Sequence, residues 1–217
     1  MTGELALVHA DAHLLVFAKP AGLLSVPGRG PEKQDCASAR IQRDYPDALV
    51  VHRLDMATSG LLLMARGTDM QRRLSRAFER REVGKRYVAV VAGRLQPDDT
   101  ATDRWAEIDL PLAADWPNRP RWVVDQERGK PSQTRWRALR YDAMRDHTRL
   151  ELDPLTGRSH QLRVHLQALG HPILGDALYA PPEIRDCAAR LLLHATELRL
   201  VHPASGEPMH WISTVPF

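Results

Sequence analysis

The sequence predicts a mixed, mainly antiparallel α+β domain. Short apolar and β-branched runs recur along the whole chain, which is typical of strands. Most of these runs are joined by turns of a few residues, whereas a parallel connection needs about a dozen or more. Only a few segments have apolar residues at helical spacing. With 217 residues, 43% of them hydrophobic and 26% charged, the chain has the composition of a globular protein with one substantial core.

Four short strands and one helix are predicted in the first third of the chain. Each strand is an apolar run bounded by turn residues such as the KPAG at 19–22. The helix is expected to end before Pro46, because proline interrupts the helical hydrogen bonds. The predicted strands are 5–9, 14–18, 49–51 and 61–65, and the predicted helix is 37–45.

A basic helix is predicted to begin at Thr68. Thr68 and Gln71 have the spacing of a capping box, and Gly84 is the expected end. Residues 66–86 include eight basic and three acidic residues, although the net charge of the whole chain is only +3. Such a local excess of positive charge is typical of a surface that binds polyanions, or of a solvated helix face. The predicted apolar face consists of Met70, Leu74, Ala77 and Phe78, and the solvated face carries Arg72, Arg76 and Arg80.

Strands dominate the remainder of the prediction, with one further helix before Gly170. Residues 86–93 (RYVAVVAG) are rich in β-branched side chains. In the helix we expect Leu162, Leu166 and Leu169 to form the buried stripe. The predicted strands are 86–93, 108–112, 123–125, 134–139, 149–152, 191–193, 197–201 and 209–213, and the predicted helix is 160–169.

Asp55 is the first candidate for a catalytic residue. It lies in the segment VHRLDMATSG, on a connection between two buried strands, where a rigid scaffold can hold a reactive group. Arg53 precedes it by two residues. An Arg-x-Asp sequence on a loop is also compatible with a structural salt bridge.

Arg158 and Tyr87 are the residues most suited to assist this carboxylate. Arg158 begins a helix, where the helix dipole favours acids, so we expect it to reach a carboxylate instead. Paired in this way, Asp55 stays ionised with a lowered pKa, which suits a nucleophile or a base. Tyr87 follows the basic helix and is placed to lie over the same pocket. The alternatives are a solvated arginine and an ordinary core or edge tyrosine.

Other chemistries have little support in the sequence. The histidines show no metal-binding spacing, and neither a Gly-x-Ser-x-Gly serine motif nor a phosphate-binding P-loop occurs. Cys36 and Cys187 fit no metal or redox spacing, so we expect reduced thiols and a cytoplasmic protein. No signal peptide or membrane-spanning run is visible. We expect a monomer without a metal site.

Taken together, the sequence motifs resemble those of the RluA family of pseudouridine synthases. VHRLDMATSG occurs with KPAG upstream and KRY at 85–87 downstream, and GKPSQT, GRSHQLRVHLQALGHPILGD and LLLHA follow in the family's order. SVPGR, RIQRDYP and DWPNRP are most similar to the dual-specificity branch of that family. The resemblance implies the pseudouridine synthase fold, no cofactor, and one catalytic domain over residues 1–217 without an S4-like N-terminal domain.

The resemblance also implies roles for individual residues. Asp55 matches the essential aspartate, and Arg53 matches the arginine that enters the RNA stack in place of the target base. Tyr87 matches the tyrosine that stacks on the flipped uracil, and Arg158 matches the basic residue paired with the aspartate. The further residues expected to contact RNA are His52, Arg72, Arg76, Arg80, Arg119, Arg121, His160 and Arg163.

The implied reaction explains these residue types. Uridine must lose its N1–C1′ bond and re-form a C5–C1′ bond, and the base must leave the stack first, at a cost of a few kcal/mol. The expected substrates are a uridine in 23S rRNA and the anticodon stem-loop of some tRNAs, both recognised as short stem-loops. The alternatives are a stem-loop RNA-binding protein without catalysis and a metal-dependent hydrolase of RNA.

Overall fold

The computed structural model describes residues 4–96 and 105–217, which form two compact units. The first unit contains the described residues as far as Lys85 together with His194–Pro216, and the second contains Arg86–Leu193 and Phe217. The predicted single catalytic domain stays a prediction.

Strands are more numerous than helices, as predicted. The strands are β1 (Ala6–Ala10), β2 (Leu14–Lys19), β3 (Ala48–Val50), β4 (Ser59–Arg66), β5 (Gly84–Ala92), β6 (Ala106–Asp109), β7 (Leu112–Ala114), β8 (Trp122–Val124), β9 (Gln133–Asp142), β10 (His147–Pro154), β11 (Leu193–Val201) and β12 (Pro208–Ile212). The helices are α1 (Ala37–Asp44), α2 (Thr68–Glu79), α3 (Gln161–Ala168) and α4 (Pro182–Arg185).

β4 is the central strand of the first unit. It pairs antiparallel with β2 and β3, and β1 and β12 extend the pairing on β2 and β11. β4 also pairs in parallel with β11 over a short stretch, in which Gly60 lies opposite Ala195. Residues 61–65 of β4 are buried on both faces of the strand, which explains the uninterrupted apolar run.

The apolar face of α2 closes the core of the first unit, as its spacing predicts. Met70 and Leu74 pack among side chains of β2, β4, β11 and β12, while the three predicted arginines are exposed. The predicted capping box is wrong. Gly67, with φ of 75°, occupies the N-cap, and the side-chain amide of Gln71 donates instead to the carbonyl of Val50 (2.9 Å). The helix also ends at Glu79 rather than Gly84, and Gly84 begins β5.

The second unit is built on an antiparallel sheet. β10 pairs with β5 on one side and with β9 on the other, and β6 pairs with β9. The strand predicted at 108–112 is two strands, β6 and β7, separated by Leu110 and Pro111. Conversely, one strand, β11, takes the place of the two predicted at 191–193 and 197–201; it begins only at Leu193 and continues through the residues between them.

Helix α3 has no narrow buried stripe. Six consecutive residues of α3, from Gln161 to Leu166, are buried, whereas Leu169 beyond its end is 38% exposed, so the predicted stripe is wrong at that residue. Val164 packs with Leu112 and Tyr179 against the β7–β8 hairpin. Polar residues within this buried run therefore need hydrogen-bond partners.

Two further expectations can be compared with the structure. Cys36 is buried and Cys187 exposed, and both are free thiols, as predicted. In the described part of the chain no helix is long and apolar enough to cross a membrane.

Candidate active site

The loop that carries Asp55 connects β3 to β4 and is fixed by its neighbours in the first unit. The buried Ser25 hydroxyl donates to the Leu54 carbonyl (2.7 Å) and accepts the Leu54 N–H (3.0 Å). The N–H of Thr58 donates to the carbonyl of Asp55 (3.1 Å). The backbone is thus held on both sides of the candidate catalytic residue. Asp55 itself is half-buried, and Arg53 is exposed.

Lys19 holds the same loop through hydrogen bonds to backbone carbonyls. Its side chain is 1% exposed, and its ammonium donates to the carbonyls of Pro20 (2.8 Å), Leu23 (2.8 Å) and Met56 (3.2 Å). A buried ammonium is stable only where it is compensated by polar groups such as these. Lys19 therefore links Met56, the residue after Asp55, to the KPAG turn. The sequence alone does not indicate this role, because lysine is mostly found at surfaces.

We expect Lys19→Met to lower kcat for RNA modification by about 10- to 100-fold, because a displacement of about 1 Å can cost 10²-fold. The RNA dissociation constant should change little. Single-turnover kinetics and a binding titration measure the two quantities separately. Lys33→Met is the matched control, since the Lys33 side chain is 59% exposed. A kcat equal to that of the unmodified protein would contradict the bracing role.

His52 is part of this framework rather than of an open surface. Its Nε2 accepts the N–H of Leu63 (2.9 Å), and its ring stacks on Phe78 with centroids 4.6 Å apart. Burial, with the nearby charge of Lys85, lowers the pKa of His52 to about 3, so the ring is neutral. These contacts favour a structural role for His52 over the predicted contact with RNA.

We expect His52 to make the protein less stable in acid. The unfolded chain takes up a proton at His52 near pH 6.5, while the folded chain does so only near about pH 3. The free energy of unfolding should therefore fall as the pH is lowered between these values, by at most about 1.4 kcal/mol per pH unit from this group. Urea titrations at pH 7.5 and 5 should show a smaller fall for His52→Gln, whose amide oxygen can replace Nε2 as acceptor. Equal falls in both proteins would contradict this account.

The basic helix presents its arginines to solvent. Arg72, Arg76 and Arg80 are exposed on α2. Arg72 makes an exposed ion pair with Asp69 (2.8 Å), and Arg80 lies 4.0 Å from Glu82. Exposed pairs of this kind contribute little to stability, so phosphates can replace the carboxylates.

Gln161 organises the loop of the second unit that carries Arg158. Its amide oxygen accepts from the Thr156 hydroxyl (2.7 Å) and from the Arg158 N–H (3.0 Å). Its amide nitrogen donates to the Gln133 carbonyl (2.9 Å) and the Thr134 hydroxyl (3.0 Å). The backbone of Arg158 is therefore fixed. Its side chain is exposed, and its Nε makes a long contact with the Pro131 carbonyl (3.4 Å).

Tyr87 and His160 occupy half-buried positions in the second unit. Tyr87 lies on β5 opposite Leu152 of β10. His160 precedes α3 in a left-handed conformation (φ 55°), and a hydrogen bond joins its Nδ1 to the Tyr179 hydroxyl (2.6 Å). The hydroxyl also accepts the N–H of Trp122 (2.9 Å).

Arg163 is placed differently from the prediction. It is 4% exposed, and its guanidinium donates to both carboxylate oxygens of Asp176, at 2.8 Å and 2.6 Å. Asp176 is 1% exposed. This buried, bidentate pair favours a structural role for Arg163 over contact with RNA.

The predicted site residues are thus divided between the two units. Asp55, Arg53 and the arginines of α2 belong to the first unit. Tyr87 and Arg158 belong to the second, as do Arg119 and Arg121 on an exposed loop between β7 and β8. The pairing of Asp55 with Arg158 stays a prediction. Among the described residues, no three histidine, cysteine or acidic side chains are grouped in a way that could hold a metal ion.

Comparison with known proteins gives consistent matches. Residues 13–168 match the family model described as RNA pseudouridylate synthase. The chain is 51% identical over 214 residues to the dual-specificity RNA pseudouridine synthase RluA of Escherichia coli (strain K12), covering 98% of this chain and 94% of that protein. The corresponding protein of Yersinia pestis is 50% identical, covering 94% and 96%. Among solved structures, human RNA pseudouridylate synthase domain containing 1 is similar with a TM-score of 0.78 and 28% identity, covering 100% of this chain and 86% of that one.

Proposed function

Because the chain belongs to the RNA pseudouridylate synthase family, we propose that it isomerises specific uridines in 23S rRNA and in the anticodon stem-loop of tRNA. Family membership confirms the predicted fold and the predicted enzyme class, an isomerase that acts on RNA. Relatives of about 50% identity are described as dual-specificity synthases, which supports two classes of RNA substrate. We also propose that the protein acts in the cytoplasm, where both kinds of RNA are found, and that it acts as a monomer.

The geometry of the loop at Asp55 is the observation that carries the proposal. Ser25, Lys19 and His52 fix the backbone around Asp55. The carboxylate therefore needs little rearrangement when a nucleotide binds. We assign to Asp55 the role of nucleophile or base toward the flipped uridine. Arg53, two residues away and exposed, has the length and charge to fill the space that the base leaves.

Tyr87 and Arg158 complete the proposed mechanism. A planar aromatic ring offers a flipped uracil a stacking surface worth about 1–3 kcal/mol. A guanidinium beside Asp55 would hold the carboxylate in position through charge-assisted hydrogen bonds. The exposed arginines of α2, with Arg119 and Arg121, would hold phosphates and so position the RNA without reading its sequence.

The experiment that tests the proposal is tritium release from RNA labelled at uridine C5, with the purified protein in EDTA. Release from both total 23S rRNA and tRNA is the expected result, because the C5 proton is lost when C5 joins C1′. Mapping of the modified positions then identifies the uridines. Binding of these RNAs without any release would instead support the RNA-binding protein without catalysis. Strand cleavage that EDTA abolishes would support the metal-dependent hydrolase.

A further inference from the structure

The loop between β7 and β8 displays a tryptophan that the mechanism above does not use. Trp116 is 66% exposed. Burial of such a large ring would stabilise the fold, so its exposure on an ordered loop calls for another explanation. The sequence DWPNRP predicts a loop there but does not indicate whether the ring is buried.

Hydrogen bonds within the loop keep it rigid. The N–H of Asp115 donates to the Arg121 carbonyl (3.0 Å), and the N–H of Arg121 donates to the Asn118 carbonyl (3.1 Å). The Asn118 side chain donates to the Asp115 carboxylate (2.9 Å). Trp116 is therefore held by a closed turn, and little conformational entropy is lost when a ligand stacks on it.

The base of the loop is anchored in the core of the second unit. Leu112 of β7 packs with Val164 of α3 and with Tyr179, and Trp122 and Val124 of β8 add to this cluster. A rigid scaffold beneath an exposed loop is the usual arrangement for a recognition element.

Arg119 covers one face of the Trp116 ring. Its guanidinium carbon lies 3.3 Å from the ring centroid, which is a close cation–π stack. The exposure of Trp116 means that the opposite face is open to solvent. Arg121 follows on the same loop, and no salt bridge within the described residues engages either arginine. The loop thus combines an open aromatic face with two positive charges. The Arg119 guanidinium stacks on Trp116, and the Arg121 guanidinium lies 5.6 Å from the ring centroid of Tyr179.

We propose that Trp116 stacks on an unpaired nucleobase of the substrate RNA, outside the position of the target uridine. The inference rests on the proposed function, since it takes the ligand to be the same stem-loop. A nucleobase suits an open indole face because every base offers a π surface, and the arginines suit the adjacent phosphates. Stem-loops present such unpaired bases in their loops. Trp116 would then select RNAs whose loop can place a base on it.

The test compares Trp116→Ala and Trp116→Phe with the unmodified protein, using a fluorescein-labelled tRNA anticodon stem-loop. Met144→Ala is the control, because Met144 is 98% exposed in the turn between β9 and β10. Fluorescence anisotropy gives the RNA dissociation constant, and tritium release gives kcat and KM. Circular dichroism checks that each variant is folded.

We expect Trp116→Ala to weaken RNA binding between about five-fold and about a hundred-fold, with kcat at saturating RNA unchanged. Trp116→Phe should retain most of the affinity, and Met144→Ala all of it. RNA should also quench tryptophan emission more in the unmodified protein than in Trp116→Phe. Unchanged affinity and unchanged quenching would overturn the inference and point to an acidic protein partner for this loop. Tritium release by the unmodified protein keeps this outcome distinct from a failure of the proposed function.

Discussion

Asp55→Asn is expected to bind RNA stem-loops as tightly as the unmodified protein and to form no detectable pseudouridine. Asparagine preserves the shape of the side chain, so the loop fixed through Leu54 and Thr58 should keep its conformation. It removes the negative charge, however, and an amide can neither attack a sugar or base carbon nor take a proton. We expect the rate to fall by about 10⁴-fold or more, at the upper end of what a positioned acid–base group contributes.

Single-turnover tritium release, combined with fluorescence anisotropy on the same RNA, measures both parts of this expectation. Asp44→Asn is the matched control, because Asp44 is an exposed acid at the end of α1. Loss of RNA affinity in Asp55→Asn would show that the carboxylate serves the structure or RNA binding. Turnover within about ten-fold of the unmodified protein would remove Asp55 from the proposed chemistry, since even modest acid–base catalysis contributes about 10²-fold.

Local sequence patterns predicted most elements of the fold. The apolar run at 61–65 is short and bounded by turn residues, which indicates a strand buried on both faces, and the spacing of Met70 and Leu74 indicates an apolar face on α2. Boundaries were less predictable because they depend on tertiary contacts. Gln71 fits a capping box in sequence, but in the fold the Val50 carbonyl is the acceptor that its side chain reaches.

The sequence selects candidate site residues more sharply where a motif is specific than where only a residue type is available. Asp55 and Arg158 belong to distinctive motifs. Arg163 belongs to one of them as well, yet sequence spacing does not distinguish an arginine that faces RNA from one that faces a buried acid. The role of Lys19 is not visible in the sequence, because it depends on three backbone carbonyls that come together only in the folded chain.

Asp176→Ala is expected to lower the free energy of unfolding by about 3–5 kcal/mol, the usual cost of removing one partner of a buried ion pair. The carboxylate holds the Arg163 guanidinium at two points and also accepts the backbone N–H groups of Leu178 (2.9 Å) and Tyr179 (3.1 Å). Its removal would take these partners from the buried Arg163 guanidinium and from two backbone N–H groups, that of the half-buried Leu178 and that of the buried Tyr179. Urea unfolding monitored by circular dichroism measures the effect.

Asp69→Ala provides the matched control, because it removes an acid from an arginine pair that is exposed rather than buried. The side chains of Arg72 and Asp69 are 69% and 87% exposed, and we expect a change of less than about 1 kcal/mol. Comparable losses in the two alanine variants would contradict the assignment of the Arg163–Asp176 pair to the framework.

The double variant Arg163→Met, Asp176→Leu separates the structural role of Arg163 from contact with RNA. With neither charge present, no buried ion remains uncompensated, so the double variant should be more stable than Asp176→Ala alone. If Arg163 serves the framework, the double variant should also bind the anticodon stem-loop with nearly unchanged affinity and a nearly unchanged dependence on salt. A direct phosphate contact would instead appear as weaker binding with a salt dependence reduced by about one counterion. The packed position of Arg163, 5.0 Å from the ring centroid of Tyr179, favours the first result.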